Sequence, residues 1–249
     1  IRGDLSVSGT ADFTPGAPIV NFVTIVGVRS LTSASNHAVV IPAGTTFDMT
    51  AVEASGLSGI TNNGIVNMAS TTLDTDFTNN ATLNIGGVNV TTTSTLGTAP
   101  TITNSGTGTI NLNGNNVIVS NIDIANQSGA TIIRNGAGGT TLSGAIDNAG
   151  TFTVVGTANL SLTISNTTFT NSGSFDVGAS SIAFLTNSAW VSNTGGSISG
   201  AGTFQIRGDL SVSGTADFTP GASIANFVAI AGVSSLTSAS NHAVVIPAG

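Results

Sequence analysis

The chain has 249 residues, but only 4 are Lys or Arg, 11 are Asp or Glu and 2 are His, so its formal net charge is -7 and charged residues make up 6%. Soluble domains usually carry about 25% charged residues. The chain contains no Cys and no Lys, which excludes disulfides, thiol nucleophiles, zinc-thiolate sites and Schiff-base lysines, and the basic surface that nucleic-acid binding requires is absent.

The remaining composition indicates a folded, all-β chain. Hydrophobic residues make up 40% of the sequence, which is more than disordered segments contain. Thr, Ser, Asn and 32 Gly supply much of the rest, and these residues are typical of short strands and turns. No window shows a sustained helical period, and no apolar run is long enough for a membrane span. We therefore predict strands along the whole chain.

The first 44 residues recur at the end of the chain. Residues 206–249 repeat residues 1–44 at an offset of 205, and 39 of the 44 positions are identical. Such identity within one chain indicates a tandem duplication. We predict that residues 1–205 form one full repeat unit and that residues 206–249 start the next unit.

A shorter period lies within the 205-residue unit, where an apolar residue is repeatedly followed two positions later by Asn. These Asn residues are Asn62, Asn79, Asn104, Asn126, Asn148, Asn171 and Asn193. Their spacings of 17, 25, 22, 22, 23 and 22 residues match one turn of a parallel β-helix, in which three short strands form a rung. The sequence thus predicts a β-solenoid of about 22 residues per rung, with Phe152 and Val154 pointing inward on one strand and Leu160, Leu162 and Ile164 on the next.

Asn suits a column at the corner of each rung for two reasons. It tolerates left-handed backbone angles, and stacked side-chain amides can donate and accept hydrogen bonds along the column. Glycines that follow the Asn residues would relieve crowding in the turn; they are Gly64, Gly106, Gly150, Gly173 and Gly195. We therefore expect a structural Asn ladder. The alternative is a string of antiparallel sandwich domains whose turns contain Asn-Gly.

The interval after Asn193 lacks the Asn motif and contains Pro220 and Pro247 within the duplicated segment. Because Pro cannot donate a backbone hydrogen bond to a strand ladder, we expect this interval to be the least regular part of the solenoid.

One tripeptide that integrins recognise occurs twice. Its residues are Arg2, Gly3 and Asp4, and again Arg207, Gly208 and Asp209. Apolar residues flank the second copy on both sides, which predicts a turn between two short strands. A receptor contact is one interpretation of the pattern, but we favour a solvated turn that is counted twice because the segment is duplicated.

Acidic and histidine residues do not form a catalytic or metal-binding pattern. Asp74 and Asp76 could offer oxygens to calcium, but the repeated motif of calcium-binding β-rolls is absent. Asp76 and Asp123 should lie two rungs apart, about 9.6 Å, which is too far to share a proton or a metal ion. His37 and its copy His242 have no acid cluster beside them. We therefore expect no cofactor, no metal site and no enzymatic activity.

Threonine pairs and the single Trp complete the candidates. The pairs Thr101/Thr103 and Thr151/Thr153 resemble the arrays of ice-binding solenoids. They do not recur in consecutive rungs of the alignment on Asn, so we interpret them as exposed strand formers. Trp190 is interpreted as a packing or surface aromatic residue rather than a sugar-binding platform.

The Asn columns, the Thr/Ser/Asn/Gly bias, the absence of Cys and the near-identical tandem units resemble the β-helical shafts of bacterial surface adhesins of the filamentous-haemagglutinin and autotransporter-passenger type. The resemblance implies an extracellular or cell-surface structural protein, either an adhesin stalk or a self-assembling filament, whose copies associate head to tail along the solenoid axis. The alternative is a binding module that recognises a glycan, ice or a host receptor through the irregular segment.

Overall fold

The computed structural model describes residues 5–7, 30–33, 35–87, 89–93, 99–156, 160–217, 219, 226–231 and 236–238. Within these residues the chain forms strands and turns, and none of them is helical. The strands in chain order are β1 (Leu5–Val7), β2 (Ser30–Ser33), β3 (Ala38–Ile41), β4 (Thr46–Thr50), β5 (Glu53–Ser55), β6 (Gly59–Asn62), β7 (Ile65–Ala69), β8 (Thr71–Leu73), β9 (Phe77–Asn79), β10 (Thr82–Ile85), β11 (Val90–Thr91), β12 (Thr101–Asn104), β13 (Thr109–Leu112), β14 (Val117–Ser120), β15 (Asp123–Asn126), β16 (Thr131–Arg134), β17 (Gly139–Leu142), β18 (Ile146–Asn148), β19 (Thr151–Val154), β20 (Leu160–Ser165), β21 (Thr168–Asn171), β22 (Ser174–Val177), β23 (Ser181–Ser192), β24 (Ser197–Ser199), β25 (Thr203–Gly214), β26 (Asn226–Ala231) and β27 (Leu236–Ser238).

These strands stack into three faces of a β-solenoid. The first face contains β1, β2, β5, β8, β11, β14, β17, β20, residues 181–186 of β23, residues 203–207 of β25, and β26. The second face contains β3, β6, β9, β12, β15, β18, β21, residues 188–192 of β23, residues 210–214 of β25, and β27. The third face contains β4, β7, β10, β13, β16, β19, β22 and β24.

Every described strand pair is parallel, and the chain passes through the three faces in turn to make one rung. This arrangement confirms the predicted parallel β-solenoid of three strands per rung with strands about 22 residues apart. The alternative of antiparallel sandwich domains is wrong, because such domains require antiparallel neighbours.

A continuous hydrophobic core fills the interior. Strands alternate buried and outward residues, as in β13 and β16, which is the period of two that a half-buried strand requires. The predicted inward residues Phe152, Val154, Leu162 and Ile164 are all buried, whereas the side chain of Leu160 lies outside the described set. Each rung therefore buries apolar side chains against the rungs on either side.

At the corner between the second and third faces, the residue just before every third-face strand except β4 is Gly or Ala. A Cβ at Gly173 would lie 2.1 Å from the carbonyl oxygen of Gly150, and a Cβ at Gly150 would lie 2.3 Å from that of Ala130. The turns at this corner contain either two residues, as at 172–173, or four, as at 105–108. This crowding, rather than a left-handed backbone angle, explains the glycine at position 173.

The duplicated segments make the same strand pair on different faces. In the first copy Leu5 pairs with Leu31 on the first face, and in the second copy Leu210 pairs with Leu236 on the second face. The two copies therefore share a pairing register while lying one face apart around the axis.

Two glycine substitutions separate crowding from backbone strain. We expect Gly173→Ala to lower the free energy of unfolding by about 2 to 4 kcal/mol, since the added Cβ collides with neighbouring backbone. Gly106→Ala should cost about 1 to 2 kcal/mol, because Gly106 has a φ of 60° but open space around its missing Cβ. Urea unfolding of both variants measures the difference, and an equal cost would contradict this account of the corner.

Candidate functional site

Six of the predicted Asn residues form one unbroken column at the corner between the second and third faces. They are Asn62, Asn79, Asn104, Asn126, Asn148 and Asn171, and all are buried. The Nδ2 of each donates to the Oδ1 of the next, over distances of 2.7 to 2.9 Å. Each side chain therefore joins its own rung to the next one along the axis.

The second amide proton of each Asn also has a partner. Asn148 Nδ2 donates to the carbonyl oxygen of Ser174 at 3.0 Å, and Asn126 Nδ2 donates to that of Thr151 at 3.1 Å. In both cases the acceptor is the first residue of the third-face strand in the next rung. The column thus satisfies backbone groups inside the corner, where an unpaired carbonyl would be costly.

The expected left-handed backbone at the ladder Asn residues is wrong. The non-glycine residues with positive φ lie elsewhere, for example Ala51, Ser70 and Asn116 between the third and first faces, and Asn121 and Asn166 between the first and second faces. The ladder residues end regular second-face strands. Amide hydrogen bonding, and not tolerance of an unusual φ, therefore accounts for Asn at this corner.

The assignment of Asn193 to the ladder is also wrong. Strand β23 places Trp190 opposite Phe169 and Ser192 opposite Asn171, so Asn193 falls one residue beyond the column, in the turn. The Trp190 and Phe169 rings stack at a centroid distance of 4.6 Å. Burying the indole in the core fixes this register, because Trp buries more apolar surface than Val191 would in its place.

Trp190 belongs to a cluster of buried aromatic residues that spans consecutive rungs. Phe175 lies edge-on to Phe152 at 5.3 Å and to Phe169 at 5.4 Å. Trp190 is fully buried and also contacts Phe204. Of the two interpretations of Trp190, a packing residue is therefore correct and a surface residue is wrong. The buried indole cannot serve as a surface platform for a sugar.

Arg134 is a buried cation whose role the sequence did not indicate. Its side chain is fully buried and donates hydrogen bonds to the carbonyl oxygens of Leu112, Ala137 and Gly138 at 2.8, 3.2 and 2.7 Å. Desolvation by burial lowers the pKa of the guanidinium from its ordinary value. Its partners are the backbone carbonyl at the end of β13 and two carbonyls in the turn after β16, so Arg134 ties that turn to the rung below.

The acidic residues considered for calcium are bound by the protein itself. Asp74 accepts from the Thr93 backbone N at 2.8 Å and from the hydroxyls of Thr92 and Thr93, each at 2.5 Å. The Asp76 carboxylate accepts from the backbone N of Thr101 at 2.9 Å. These carboxylates therefore hold the residues that follow β11 and the first residue of β12 in the next rung.

A shallow groove on the second face contains two further carboxylates, Asp123 and Asp147. It has a volume of about 220 Å³, and its lining includes the small side chains of Ala125 and Ala145. Asp123 already accepts a hydrogen bond from the backbone N of Ala145 at 2.8 Å. In the described ranges, no group of three or more His, Cys, Asp or Glu residues could hold a metal ion.

The second copy of the tripeptide lies at the corner where the chain passes from the first face to the second, without a break in the strand. Arg207, Gly208 and Asp209 lie within the continuous strand β25, where the register against β23 shifts between Thr186 and Ser188. The exposed Arg207 guanidinium stacks over the Phe184 ring at 3.9 Å and donates to Gln205. The first copy, Arg2, Gly3 and Asp4, lies outside the described residues, as does His242.

Alignment on Asn concealed a regular threonine column on the third face. The turn after each Asn has two or four residues, so a constant offset from Asn misplaces the following strand. Alignment on the small residue before each third-face strand instead brings Thr82, Thr109, Thr131 and Thr151 into one outward column. The pairs Thr101/Thr103 and Thr151/Thr153 do not recur as pairs in neighbouring rungs, as predicted, but single threonines do recur on this face.

The fold and the inner Asn column define the chain as a three-faced parallel β-solenoid. No protein-family model, curated protein or solved structure matches it. In the part of the chain that the structure describes, no helix combines the length and apolar character that crossing a membrane requires.

Replacement of Asn148 tests the column directly. We expect Asn148→Leu to lower the free energy of unfolding by about 2 to 4 kcal/mol, because it removes the donor to Ser174 and leaves the Asn126 amide with one proton unpaired. Chemical denaturation monitored by circular dichroism measures this loss.

Asn84→Leu is the matched control, since Asn84 also sits between two Asn amides, but in a half-exposed outer column. Water can replace its hydrogen bonds, so we expect a cost below about 1 kcal/mol. If the two variants lost similar free energies of unfolding, burial of the inner column would not account for its contribution to stability.

Proposed function

We propose that this chain is a segment of an extracellular rod, acting as the shaft of a surface adhesin or as the repeating element of a surface filament. The observation that carries the proposal is the inner Asn column, which joins six consecutive rungs without a break. A structure whose rungs are coupled one by one resists bending and local opening, as a spacer must.

Burial and charge support the same use. The Asn amides and Arg134 are the polar groups with the most specific arrangement. They face inward and donate hydrogen bonds to other groups of the chain. The chain offers trypsin only four arginines, of which Arg134 is fully buried. Resistance to proteases and the absence of an oxidisable thiol suit a protein exposed outside a cell.

Head-to-tail association of copies follows from the same geometry. A parallel solenoid exposes unpaired backbone groups at the end of its stack, and these groups can pair with another rung. The alternative expectation, that the irregular segment recognises a glycan, ice or a host receptor, concerns the interval after Asn193, where the described residues contribute β24, β25, β26 and β27.

Linked copies of the repeat test the rod. Chains containing two and three copies of residues 1–205 should form straight rods in electron micrographs, and each added copy should lengthen the rod by about 45 Å, given about 4.8 Å per rung. The 249-residue chain is the length reference. Free bending between copies, or an increment that differs clearly from this value, would contradict a continuous shaft.

Labelling of intact source cells tests the location. Antibodies raised against the folded chain should bind cells that have not been permeabilised, and mild protease treatment of those cells should reduce the signal. Labelling that requires permeabilisation would overturn the extracellular assignment while leaving the rod itself untouched.

A further inference from the structure

The boundary between the two repeat units is an interface that the structure shows within one chain. Residues 206–217 begin the second unit and lie in the rung directly above β23, which belongs to the first unit. On the first face Thr186 pairs with Arg207, and on the second face residues 188–192 pair one by one with residues 210–214. Backbone pairing on two faces therefore joins the second unit to the first.

Side-chain contacts and turn hydrogen bonds complete this interface. The Arg207 guanidinium lies over the Phe184 ring at 3.9 Å from its centroid. At the following corner, the backbone N of Thr215 donates to the carbonyl oxygen of Ser192 at 2.9 Å, and Ser192 Oγ donates to the carbonyl oxygen of Asp217 at 2.9 Å. A cation–π contact and corner hydrogen bonds thus add to the strand pairing.

The first segment of the chain carries the same residues as the segment bound to β23. Residues 1–12 are identical to residues 206–217, and all five differences between the two copies fall within residues 223–234 of the second copy. Strand β26, which lies in that interval, pairs with β25 and not with β23. The upper edge of β23 therefore meets the same chemical groups in residues 206–217 of its own chain and in residues 1–12 of a second copy.

Strand β1 keeps the pairing of its counterpart in β25 and has its other edge available. Leu5 pairs with Leu31, as Leu210 pairs with Leu236. Within the described residues no strand pairs with the opposite edge of β1, whereas β23 pairs with that edge of β25. An open strand edge offers backbone donors and acceptors to another strand. Strand β1 can thus bind through the edge that its counterpart already uses.

We infer that the upper edge of β23 is an acceptor site for residues 1–12 of a second copy of this chain, and that residues 206–217 of the same chain compete for it. The incoming copy takes the register of the second unit, so Ser8 replaces Ser213 opposite Val191. The inference rests on the head-to-tail association proposed above and identifies the strands that form it.

Direct attachment favours the chain's own segment at the acceptor site. A tethered segment has an effective concentration of about 1 mM or more, so at about 10 µM of each chain it fills the site about a hundred times more often than the same segment of another copy. Residues 206–217 therefore act as an internal cap. Copies join when this cap is weakened or when the chains are concentrated.

Gly214 provides a way to weaken the cap while the acceptor strand stays unchanged. Its φ is 116°, and an added Cβ would lie 2.2 Å from the carbonyl oxygen of Ser192 in the acceptor site. Gly214→Ala therefore disfavours binding of residues 206–217. Gly9 is the corresponding residue of the first segment, so Gly9→Ala places the same methyl group on the incoming copy.

Cysteine crosslinking between two 249-residue chains tests the acceptor site, since the natural chain has no Cys. The acceptor chain carries Val191→Cys with Gly214→Ala, and the donor chain carries Ser8→Cys. A short bis-maleimide should join acceptor to donor as the main dimeric product. Restoring Gly214 in the acceptor should lower the yield about tenfold or more, because the internal cap then fills the site.

Gly9→Ala in the donor is the matched control, and it should lower the yield about tenfold or more for the same steric reason. A single chain with Val191→Cys and Ser213→Cys should crosslink within itself, which checks the register. Circular dichroism should show the same β-structure for every variant.

Two arginine variants replace the glycine variants if those misfold. Arg207→Ala in the acceptor removes the contact with Phe184 from the cap, and Arg2→Ala in the donor removes the corresponding contact from the incoming segment. The first should raise the yield and the second should lower it, each by about two- to fivefold. A general loss of stability would not move the yield in opposite directions.

Equal crosslinking with and without these substitutions would overturn the inference, as would an acceptor that stays monomeric in the presence of the donor. Straight rods of linked copies without this crosslink would overturn the acceptor site alone and leave the proposed shaft intact. The specific crosslink together with freely bending linked copies would support the acceptor site and contradict the shaft.

Discussion

Backbone polar groups at the inside of a corner must be paired, and this requirement determines the interior of the solenoid. Where the chain turns from the second to the third face, the first carbonyl of each third-face strand from β10 to β24 meets the amide of an Asn from the rung below. The remaining amide proton bonds to the next Asn. A buried carboxylate or hydroxyl could not donate two such bonds, which explains why Asn fills most positions of this column.

Other residues take the place of Asn at the two ends of this column. Below Asn62 the equivalent residue is Ile41, and above Asn171 it is Ser192, which donates to the carbonyl of Asp217 instead of to an amide. At the upper end the column gives way to aromatic packing around Trp190. The rungs are thus held by amide hydrogen bonds along most of the core and by aromatic contacts at its upper end, and the two overlap at Phe152, Phe169 and Phe175.

The solenoid, its period and most of the inner column were predictable because they depend on local features. An apolar residue and an Asn separated by two positions mark a buried strand end, and the spacing of the motif is the length of a rung. The register at Asn193 was not predictable from that motif, because it depends on competition between Trp190 and Val191 for the core. The threonine column was concealed for a different reason: turns of two and four residues shift each strand relative to the Asn. The burial of Arg134 was not predictable, because a basic residue at a strand end is usually expected to point outward. Only the structure shows that it occupies the same inward column as Leu112 and Val154.

The pairing of the duplicated segments has a consequence for how a chain of many repeats would present its surface. Counting from β1, residues 203–207 of β25 are nine turns further along the first face, and Leu210 lies one face beyond them. Each repeat therefore ends a third of a turn out of phase with its start, and consecutive copies are rotated by about 120°. Equivalent side chains in an array of such repeats follow a spiral with a three-copy period, so a surface displayed in one direction by a single copy is displayed on all sides of the shaft by three.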